Sequence, residues 1–482
     1  MKNITEELQE FKTFEKRIFE ELCRVGCELI GEYLRVCDLR LLALRDTQEY
    51  RAVNSGTTTI KTLMGEVPYT RRCYKKKTGG HVFLLDEILG IGGGCGLASE
   101  NLAEQIVIAC SEKSFRKAAG SISSLTGQGI SAMGAWNVFQ RFGERLDGQE
   151  KRLRELDQAD AAGQLGNVAC PVLFEEMDDV WLPMQREKRR KSGMPAEAGR
   201  KKTGKKPMHV GTAYTGWRQA KDGRFNTVDK LAYASFGDVP GFMSAFESLK
   251  RHRFDMDGVQ HRITNGDGAA WIKTAAAEND TILQLDPFHR SRAVIRAISK
   301  KEDRKAVFDA IREKDVEKVL RVTYDMVAKA DDDAAREKLG KLYGYFHENK
   351  DSLLTWQERG IELPEAPEGV VYRSLGIQES SNCDLITQRM KRRKGSWTIA
   401  GANHMAKTLC FRHTIGLDAI LGLLPEPQEA ALTGEPLSVA KTPLHDGKGV
   451  GNEWLRAGMP FEQAFRTHGR EAIRGLLKQK PL

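Results

Sequence analysis

Apolar and polar positions follow a helical period at the start of the chain and a strand-like period soon after it. Apolar side chains recur three and four residues apart between Leu8 and Val25, which predicts a helix over residues 1–50. The chain then becomes rich in Thr, Val and Tyr, with turn signals at Gly65-Glu66 and Gly79-Gly80. This change of pattern predicts a small β-hairpin unit over residues 51–97.

Helical spacing returns over residues 98–145 in two segments joined by a turn. The first predicted helix covers Phe115 to Ser123, and a glycine-bearing turn follows at Thr126 to Gly129. Ser131 is a good N-cap for a second helix that runs through Gln140. This is the outline of a helix-turn-helix, whose second helix could enter a DNA major groove, although two helices joined by a glycine turn occur in many folds.

The middle of the chain alternates between strand-like and helical segments. Three strand candidates come first and suggest an antiparallel meander, and a helix, a strand, a second helix and a short strand follow. The order β-β-β-α-β-α-β is that of an RNase H-like core, in which the later strands lie parallel to the first. The strand candidates are residues 167–184, 205–217, 230–237, 258–268 and 282–288.

Helical periodicity then dominates to about residue 350, and it returns after a proline-bearing loop. We therefore predict an α/β protein with an RNase H-like mixed-sheet core, a helical insertion within that core, and a helical and β-hairpin N-terminal DNA-binding region. The predicted units are N-terminal helices at 1–50, a β-hairpin unit at 51–97, a helix-turn-helix-like DNA-binding region and linker at 98–165, the first part of the core at 166–295, the insertion at 296–368, the last part of the core at 369–423, and a tail at 424–482.

Composition places the chain among ordinary globular proteins. Of its 482 residues 40% are hydrophobic and 29% are charged. No segment approaches 18 consecutive apolar residues, and the N-terminus is a charged amphipathic helix rather than a signal peptide. We therefore expect a cytoplasmic protein.

The positive charge is concentrated in one segment. The formal net charge is +9, and the stretch from Arg186 to Lys206 contains ten basic residues against only two acidic ones. Such a run repels itself and predicts a solvated loop. It is either a solubilising loop without a partner or a contact to a phosphate backbone, for which Arg189, Arg190 and Lys191 are the candidates.

Three acids are placed so that they could converge. Asp178 lies in the first core strand, Asp267 at the end of the fourth, and Glu379 at the start of the helix after the insertion. In an RNase H-like core the first and fourth strands are adjacent. Three converging acids repel one another unless divalent cations neutralise them, and oxygen ligands suit Mg²⁺ or Mn²⁺. Two such cations can together promote phosphodiester cleavage.

The residues next to Asp267 and Asp178 in the sequence leave two points open, the role of the small residues and the choice between adjacent aspartates. Asp267 is surrounded by small residues, including Gly266, Gly268 and Ala269, which is typical either of a tight turn or of an approach kept open for a phosphate. Asp178 is followed by Asp179, and side chains alternate along a strand, so only one of the two can face the cations. Periodicity leaves this choice open.

Several blocks of the chain resemble a known family. The stretches "FEEMDDVWLPMQREKRRK", "RITNGDGAAWIK", "LQLDPFHR" and "LGIQESSNCDLITQRMKRRKGSW" look like those of bacterial insertion-sequence DDE transposases of the ISLre type, which are related to Mutator-like transposases. The upstream "TLMGEVPYTRRCYKKKTGG" is also similar, so the resemblance covers about residues 50–415.

The resemblance implies a role for each matching position. The family's first catalytic aspartate follows a Glu-x-Asp-Gly pattern, which favours Asp178, although Asp179 stands where glycine is usual. Asp267 and Glu379 match the other two catalytic acids. Asp286 and His289 match a signature that follows the second aspartate, and we expect them to support the site rather than to bind metal.

Basic residues beyond Glu379 complete the expected site. If an α-helix begins near residue 379, Arg393 falls within about 40° of the Glu379 face and Arg389 within about 80°. Either residue could hold a phosphate next to the cations, or both could belong to a solvated face.

The resemblance implies a transposase that uses two Mg²⁺ or Mn²⁺ ions per active site. It would bind the terminal inverted repeats of its element, cleave at the ends and join the freed 3′-hydroxyls to target DNA. A homodimer or larger assembly on DNA is expected, in association with the nucleoid. The alternatives are a transposon-derived DNA-binding protein without catalytic activity and another RNase H-like nuclease.

Overall fold

A computed structural model describes five segments of the chain, namely residues 4–89, 98–158, 166–185, 204–392 and 395–415. The fold is mixed α/β, with helices on both sides of a central sheet. None of the helices in these five segments is both long and apolar enough to cross a membrane. The basic residues Arg189, Arg190, Lys191 and Arg393 and the tail at 424–482 lie outside the described residues.

The N-terminal part packs a long helix against a small antiparallel sheet. The predicted hairpin is confirmed, with its turn at Thr62–Gly65. The C-terminal part of the helix, around Leu34 and Leu41, is buried against the sheet. Its N-terminal part keeps an apolar stripe exposed, and Phe14 for example is 60% exposed. The elements are α1 (Ile4–Leu44), β1 (Tyr50–Lys61), β2 (Glu66–Lys76), β3 (His81–Val82) and α2 (Leu84–Ile88).

Three helices follow, of which the last two form the predicted pair joined by a glycine turn. They are α3 (Glu100–Glu112), α4 (Phe115–Thr126) and α5 (Ala132–Gln158). Gly127 ends α4 with a φ of 68°, a conformation that favours glycine. Ser131 accepts a hydrogen bond from the Gly134 N–H and so caps α5, as predicted. The inner face of α5, with Phe139 and Phe142, is buried.

The middle of the chain forms a five-stranded sheet in the order β10-β9-β4-β5-β8. The predicted order of strands and helices is confirmed, with an additional hairpin, β6–β7, where the second strand candidate was expected to continue. The elements are β4 (Val172–Pro183), β5 (Lys205–Tyr214), β6 (Gly216–Gln219), β7 (Phe225–Val228), β8 (Leu231–Ser235), α6 (Val239–Arg253), β9 (His261–Gly266), α7 (Ala270–Glu278) and β10 (Ile282–Leu285).

Strand directions bring the two predicted aspartates to neighbouring strands. β4 is antiparallel to β5 and parallel to β9, and β9 is parallel to β10. Met177 on β4 is paired with Gly266 on β9, so Asp178 and Asp267 are the next residues along their chains. The prediction that the first and fourth core strands are adjacent and parallel is therefore confirmed.

The two faces of β4 are covered by different elements. Leu173 and Met177 pack against α6 and α7. The opposite face, which includes Glu176 and Asp178, lies against the short helix that carries Glu379. The core is therefore formed on both sides of the sheet, and the site lies where the C-terminal helices meet β4.

Four helices follow β10, and three helical segments follow an irregular stretch. The four helices are α8 (Pro287–Ala297), α9 (Lys301–Arg312), α10 (Val316–Ala328) and α11 (Asp333–Glu348). Three of them lie in the predicted helical insertion at 296–368, whereas α8 lies almost entirely in the segment at 166–295 that was predicted as core. The last three segments are α12 (Gln378–Asn382), a π-helix (Cys383–Lys391) and α13 (Ile399–Ile415). The helix after Glu379 is thus not a continuous α-helix, and the repeat of 3.6 residues per turn does not apply to it.

Candidate metal centre

Asp178, His289 and Glu379 come together at one place. Each offers one ligand atom, and these three atoms lie within 4.8 Å of one another. The His289 Nε2 atom is 3.5 Å from a Glu379 carboxylate oxygen. Three elements meet here, namely β4, α8 and α12. Two carboxylate oxygens and one imidazole nitrogen at this spacing are a donor set that fits a divalent cation.

Asp267 lies beside this group rather than within it. It follows β9 directly, and its Oδ1 accepts a hydrogen bond from the Ala269 N–H at 2.9 Å. Its backbone carbonyl accepts a hydrogen bond from the Tyr345 hydroxyl at 2.8 Å. Asp267 and His289 line the same cleft. Two of the three predicted acids, Asp178 and Glu379, thus meet with His289, and Asp267 lies beside them at the end of β9.

Asp178 shows the electrostatic cost of this arrangement. Burial raises the pKa of Asp178 to about 6, and the negative charges of Asp267 and Glu379 contribute to the increase. The Asp179 N–H and the nearby His289 act in the opposite direction. Because burial and neighbouring charges disfavour the ionised form of Asp178, a bound cation would stabilise that form strongly.

The choice between Asp178 and Asp179, which periodicity left open, is decided by what each carboxylate contacts. Asp178 Oδ2 accepts a hydrogen bond from Asn382 Nδ2 at 2.7 Å, on the side of α12. Asp179 Oδ1 lies 2.7 Å from His209 Nδ1, on the opposite face of the sheet. Only Asp178 therefore faces Glu379.

Glu176 orders the segment that carries Glu379. Its side chain is fully buried, and its carboxylate accepts hydrogen bonds from three consecutive backbone N–H groups, those of Gly376, Ile377 and Gln378. The Tyr214 hydroxyl and Asn265 Nδ2 donate two further hydrogen bonds. Burial raises the pKa of Glu176, while the Tyr214 and backbone hydrogen bonds oppose that shift.

A buried polar row lies directly behind the acids. Glu176, Asn265 and Gln284 are neighbours in register on three adjacent strands. Asn265 donates to Glu176, and Gln284 donates to Asn265 at 3.0 Å. Each member precedes an acid by two residues, so the row and the acids share one face of the sheet. The acids concerned are Asp178, Asp267 and Asp286. Periodicity alone assigns this row no role, although the two-residue spacing is visible in the sequence.

Asp286 and His289 have different positions in the site. Asp286 is buried, and its carboxylate caps α8 by accepting a hydrogen bond from the Phe288 N–H at 2.7 Å. This cap fixes the start of α8 and so the position of His289 in the first turn. Asp286 thus caps α8, whereas His289 lies among the candidate ligands.

The small residues around Asp267 have a structural cause. Gly268 has a φ of 88°, and a Cβ atom there would lie 2.7 Å from Asn349 Oδ1. A Cβ atom at Gly266 would lie 2.8 Å from the Ile272 side chain. That these glycines also keep an approach open for a phosphate stays a prediction. They are required because other parts of the chain pack closely against this loop.

Arg389 does not have the predicted surface position. Its side chain is 7% exposed, and its Nε donates a hydrogen bond to the Cys110 carbonyl on α3. Its guanidinium also lies over the rings of Phe115 and Trp397. The prediction that Arg389 contacts DNA is contradicted, because the π-helix turns this residue into the protein interior. It connects the π-helix to α3.

Comparison with known proteins identifies relatives in one family, and it finds solved structures that are only remotely similar to this chain. A relative from Caldanaerobacter subterraneus subsp. tengcongensis, "UPF0236 protein TTE0610/TTE0881/TTE1053/TTE2432", is 24% identical over 365 residues, which are 73% of this chain and 67% of the relative. A second protein of that organism, "UPF0236 protein TTE1650/TTE2708", is also 24% identical, over 73% of this chain and 63% of its own length. The chain thus spans about two thirds of the length of the first relative and less than two thirds of the length of the second.

Among solved structures, a pre-cleavage Mos1 transpososome is 10% identical, with a TM-score of 0.12 over 55% of this chain and 81% of that chain. A family model described as an uncharacterised protein family, UPF0236, matches residues 4–419. The chain therefore belongs to the UPF0236 family.

Proposed function

We propose that this protein is a DNA transposase of the DDE type, which cleaves phosphodiester bonds at the ends of its own element and joins the ends to target DNA. The observation that carries the proposal is the convergence of Asp178, Glu379 and His289 within 4.8 Å, with Asp267 on the adjacent strand. This is an acidic, partly open site of the kind that metal-dependent phosphoryl transfer requires.

The sheet topology supports the same proposal. The strand order β10-β9-β4-β5-β8 has an antiparallel meander on one side of β4 and parallel strands on the other. An RNase H-like core, which we propose for this chain, would have this strand order. In this arrangement the first and second acids come from the central strand and its parallel neighbour, and the third from a later helix.

Divalent cations are the implied cofactors, and the donor set fits them. Asp178, Glu379 and His289 would hold one cation, and Asp178 with Asp267 would hold a second. Such cations, when bound, would supply activation of a water or a 3′-hydroxyl and stabilisation of the leaving oxygen. The protein's own contribution is to fix the ligands, through the Glu176 hydrogen bonds to α12 and the Asp286 cap of α8.

The names of the relatives are consistent with a mobile gene. The relative described above has four numbered designations in a single organism. A name of that form fits a gene that is present in several copies, and transposition produces such copies. We further propose DNA with terminal inverted repeats as the partner, and a homodimer or larger assembly that holds two ends together.

The test is cleavage of a labelled duplex that carries the DNA flanking this gene, in Mg²⁺ or Mn²⁺. We compare the wild-type protein with Asp267→Asn, a nearly isosteric change that removes one charge. Asp257→Asn is the matched control, because Asp257 is exposed and lies outside the site. We expect binding by all three proteins, and nicking at the element end only by the wild type and the control.

Two other results would contradict parts of the proposal. Equal nicking by Asp267→Asn would remove Asp267 from the mechanism. Binding without cleavage by the wild type would instead support the alternative of a DNA-binding protein that has lost its catalytic activity.

A further inference from the structure

Helices α8 and α11 form a cleft that opens onto the candidate metal centre. The cleft has a volume of about 460 Å³ and lies between α8 and α11, with Asp267 and His289 in its lining. Four cationic side chains also line it, and we call it the basic cleft after them. They are Arg292, Arg296, Lys338 and Lys341.

We propose that the basic cleft binds the phosphodiester backbone of the DNA strand that enters the metal centre. The inference rests on the proposed function, because it takes DNA as the substrate. It assigns the helical insertion a direct role in holding that substrate, and it identifies four residues for which the sequence analysis gave no function.

The spacing of the lining residues shows that one face of α8 and one face of α11 form the walls of the cleft. On α8 the lining positions include His289, Arg292 and Arg296, at i, i+3 and i+7. On α11 they include Lys338, Lys341 and Tyr345, with the same spacing. Residues at this spacing lie on one face of a helix. The cations therefore form two short rows that face each other across the cleft.

The charge of the cleft is suited to a polyanion. Among the described residues that line the cleft, Asp267 is the one acid, and it lies at the end that meets the metal centre. Arg292 is 44% exposed and lies 3.8 Å from a Glu379 oxygen, and Lys341 is 74% exposed in an ion pair with the exposed Glu337. Such exposed ion pairs contribute little to stability, so these cations can exchange their partners for phosphates at low cost.

The cleft is fixed rigidly to the loop that carries Asp267. The Tyr345 hydroxyl on α11 donates to the Asp267 carbonyl, and Lys273 on α7 donates to the Glu348 carbonyl at 2.9 Å. Asn349 packs closely over Gly268. A strand held between α8 and α11 would therefore keep a constant position relative to Asp267. Such positioning of a reacting group is a general requirement of catalysis.

The experiment measures how the affinity for DNA depends on salt. Each phosphate contact that a protein makes to duplex DNA adds about 0.9 to the slope of log K against log salt concentration. We use Arg296→Gln/Lys338→Gln, which removes one cation from each wall of the cleft. The probe is a labelled 30-base-pair duplex of arbitrary sequence in EDTA, because backbone contacts do not depend on sequence and cleavage is prevented.

The control removes the same charge from the same insertion. In Arg312→Gln/Arg336→Gln both arginines are exposed and neither lines the basic cleft. We expect the cleft variant to bind at least about tenfold more weakly at 0.1 M salt, with a slope lower by about two, and the control to match the wild type. Thermal unfolding of both variants shows whether they remain folded.

The possible results separate this inference from the proposed function. Equal losses of affinity and slope in both variants, or no loss in either, would overturn the proposal that the basic cleft binds DNA. The cleavage test of Asp267 would be unaffected. A selective loss in the cleft variant, with no metal-dependent cleavage by the wild type, would support the cleft and overturn the catalytic proposal. Wild-type protein that binds no DNA would overturn both.

Discussion

Glu176 and Gln378 are joined by a hydrogen bond from the backbone N–H of Gln378 to the Glu176 carboxylate, one residue before Glu379. The same carboxylate accepts hydrogen bonds from the two preceding N–H groups and from Asn265. A single buried side chain on β4 thereby determines where the third candidate acid lies relative to the first two.

Glu176→Gln is expected to disturb the site without removing a ligand. The amide is nearly isosteric with the carboxylate, but its NH₂ group cannot accept hydrogen bonds from backbone N–H groups. We expect Mn²⁺ affinity and cleavage activity to fall by about 10- to 100-fold, as for other residues that orient metal ligands. Titration with Mn²⁺ measures the first quantity, and cleavage at saturating Mn²⁺ the second. Wild-type values for both would show that Glu176 does not position Glu379.

Asp178→Asn is expected to stabilise the metal-free protein at neutral pH. The pKa of Asp178 is raised to about 6 in the folded protein, above its ordinary value, so ionisation of this group destabilises the fold as the pH rises through that range. Asparagine removes this effect, which amounts to about 3 kcal/mol at most. The gain should be present at pH 7 and should fall to a small remainder near pH 4, where Asp178 is protonated in the folded state and about half protonated in the unfolded state.

Urea unfolding of both proteins in EDTA at pH 4 and pH 7 measures this difference. Addition of Mn²⁺ at pH 7 should stabilise the wild type more than the variant, because a ligand that binds only the folded state increases its stability. A variant that is less stable than the wild type at pH 7 in EDTA would contradict the expected electrostatic cost.

His289→Asn tests whether the imidazole binds metal. Imidazole nitrogen suits transition metals, whereas Mg²⁺ prefers oxygen ligands. We therefore expect the variant to lose affinity for Mn²⁺ more than for Mg²⁺, as measured by metal-dependent thermal stabilisation. His81→Asn is the control, since His81 is exposed on β3. An equal loss for both metals would point to a purely structural role for His289.

Gly268→Ala tests the close packing beside Asp267. A side chain at a φ of 88° is strained, and its Cβ atom would meet Asn349, so we expect a loss of about 1–3 kcal/mol in the free energy of unfolding. Gly120→Ala is the contrasting change, because Gly120 lies in α4 with open space around it and alanine should stabilise a helix by about 1 kcal/mol. Comparable stabilisation by both changes would contradict the strain assigned to Gly268.

The sequence was sufficient to predict that Asp178 and Asp267 belong to neighbouring parallel strands. The strands that carry them have clear apolar patterns, and the order of elements determines that these strands are neighbours. The sequence was not sufficient to predict the contacts of Glu176. The backbone N–H groups that donate hydrogen bonds to the Glu176 carboxylate belong mostly to an irregular segment far along the chain. Periodicity describes strands and helices, but it contains no information about which loop returns to a buried carboxylate.

The position of Arg389 was missed for a different reason. The residues after Glu379 have an amphipathic pattern that suggests an α-helix, and the π-helix there depends on tertiary packing against α3 and α13. A wider helical turn changes the direction of every later side chain. Similarly, α1 was predicted correctly as a helix, but the pattern did not indicate that Phe11 and Phe14 are exposed.

The contact between Glu176 and the backbone of Gly376 spans 200 residues of chain. At a synthesis rate of about 5–20 residues per second, roughly 10–40 s pass between the appearance of the first acid and that of the third. During this interval the nascent chain already contains α1 to α5, which cover the N-terminal region predicted from the sequence to bind DNA, but it has no Glu379. Under the proposed function, a chain still on the ribosome could occupy DNA well before it could cut it, and the capacity to cut would come only with the completed core.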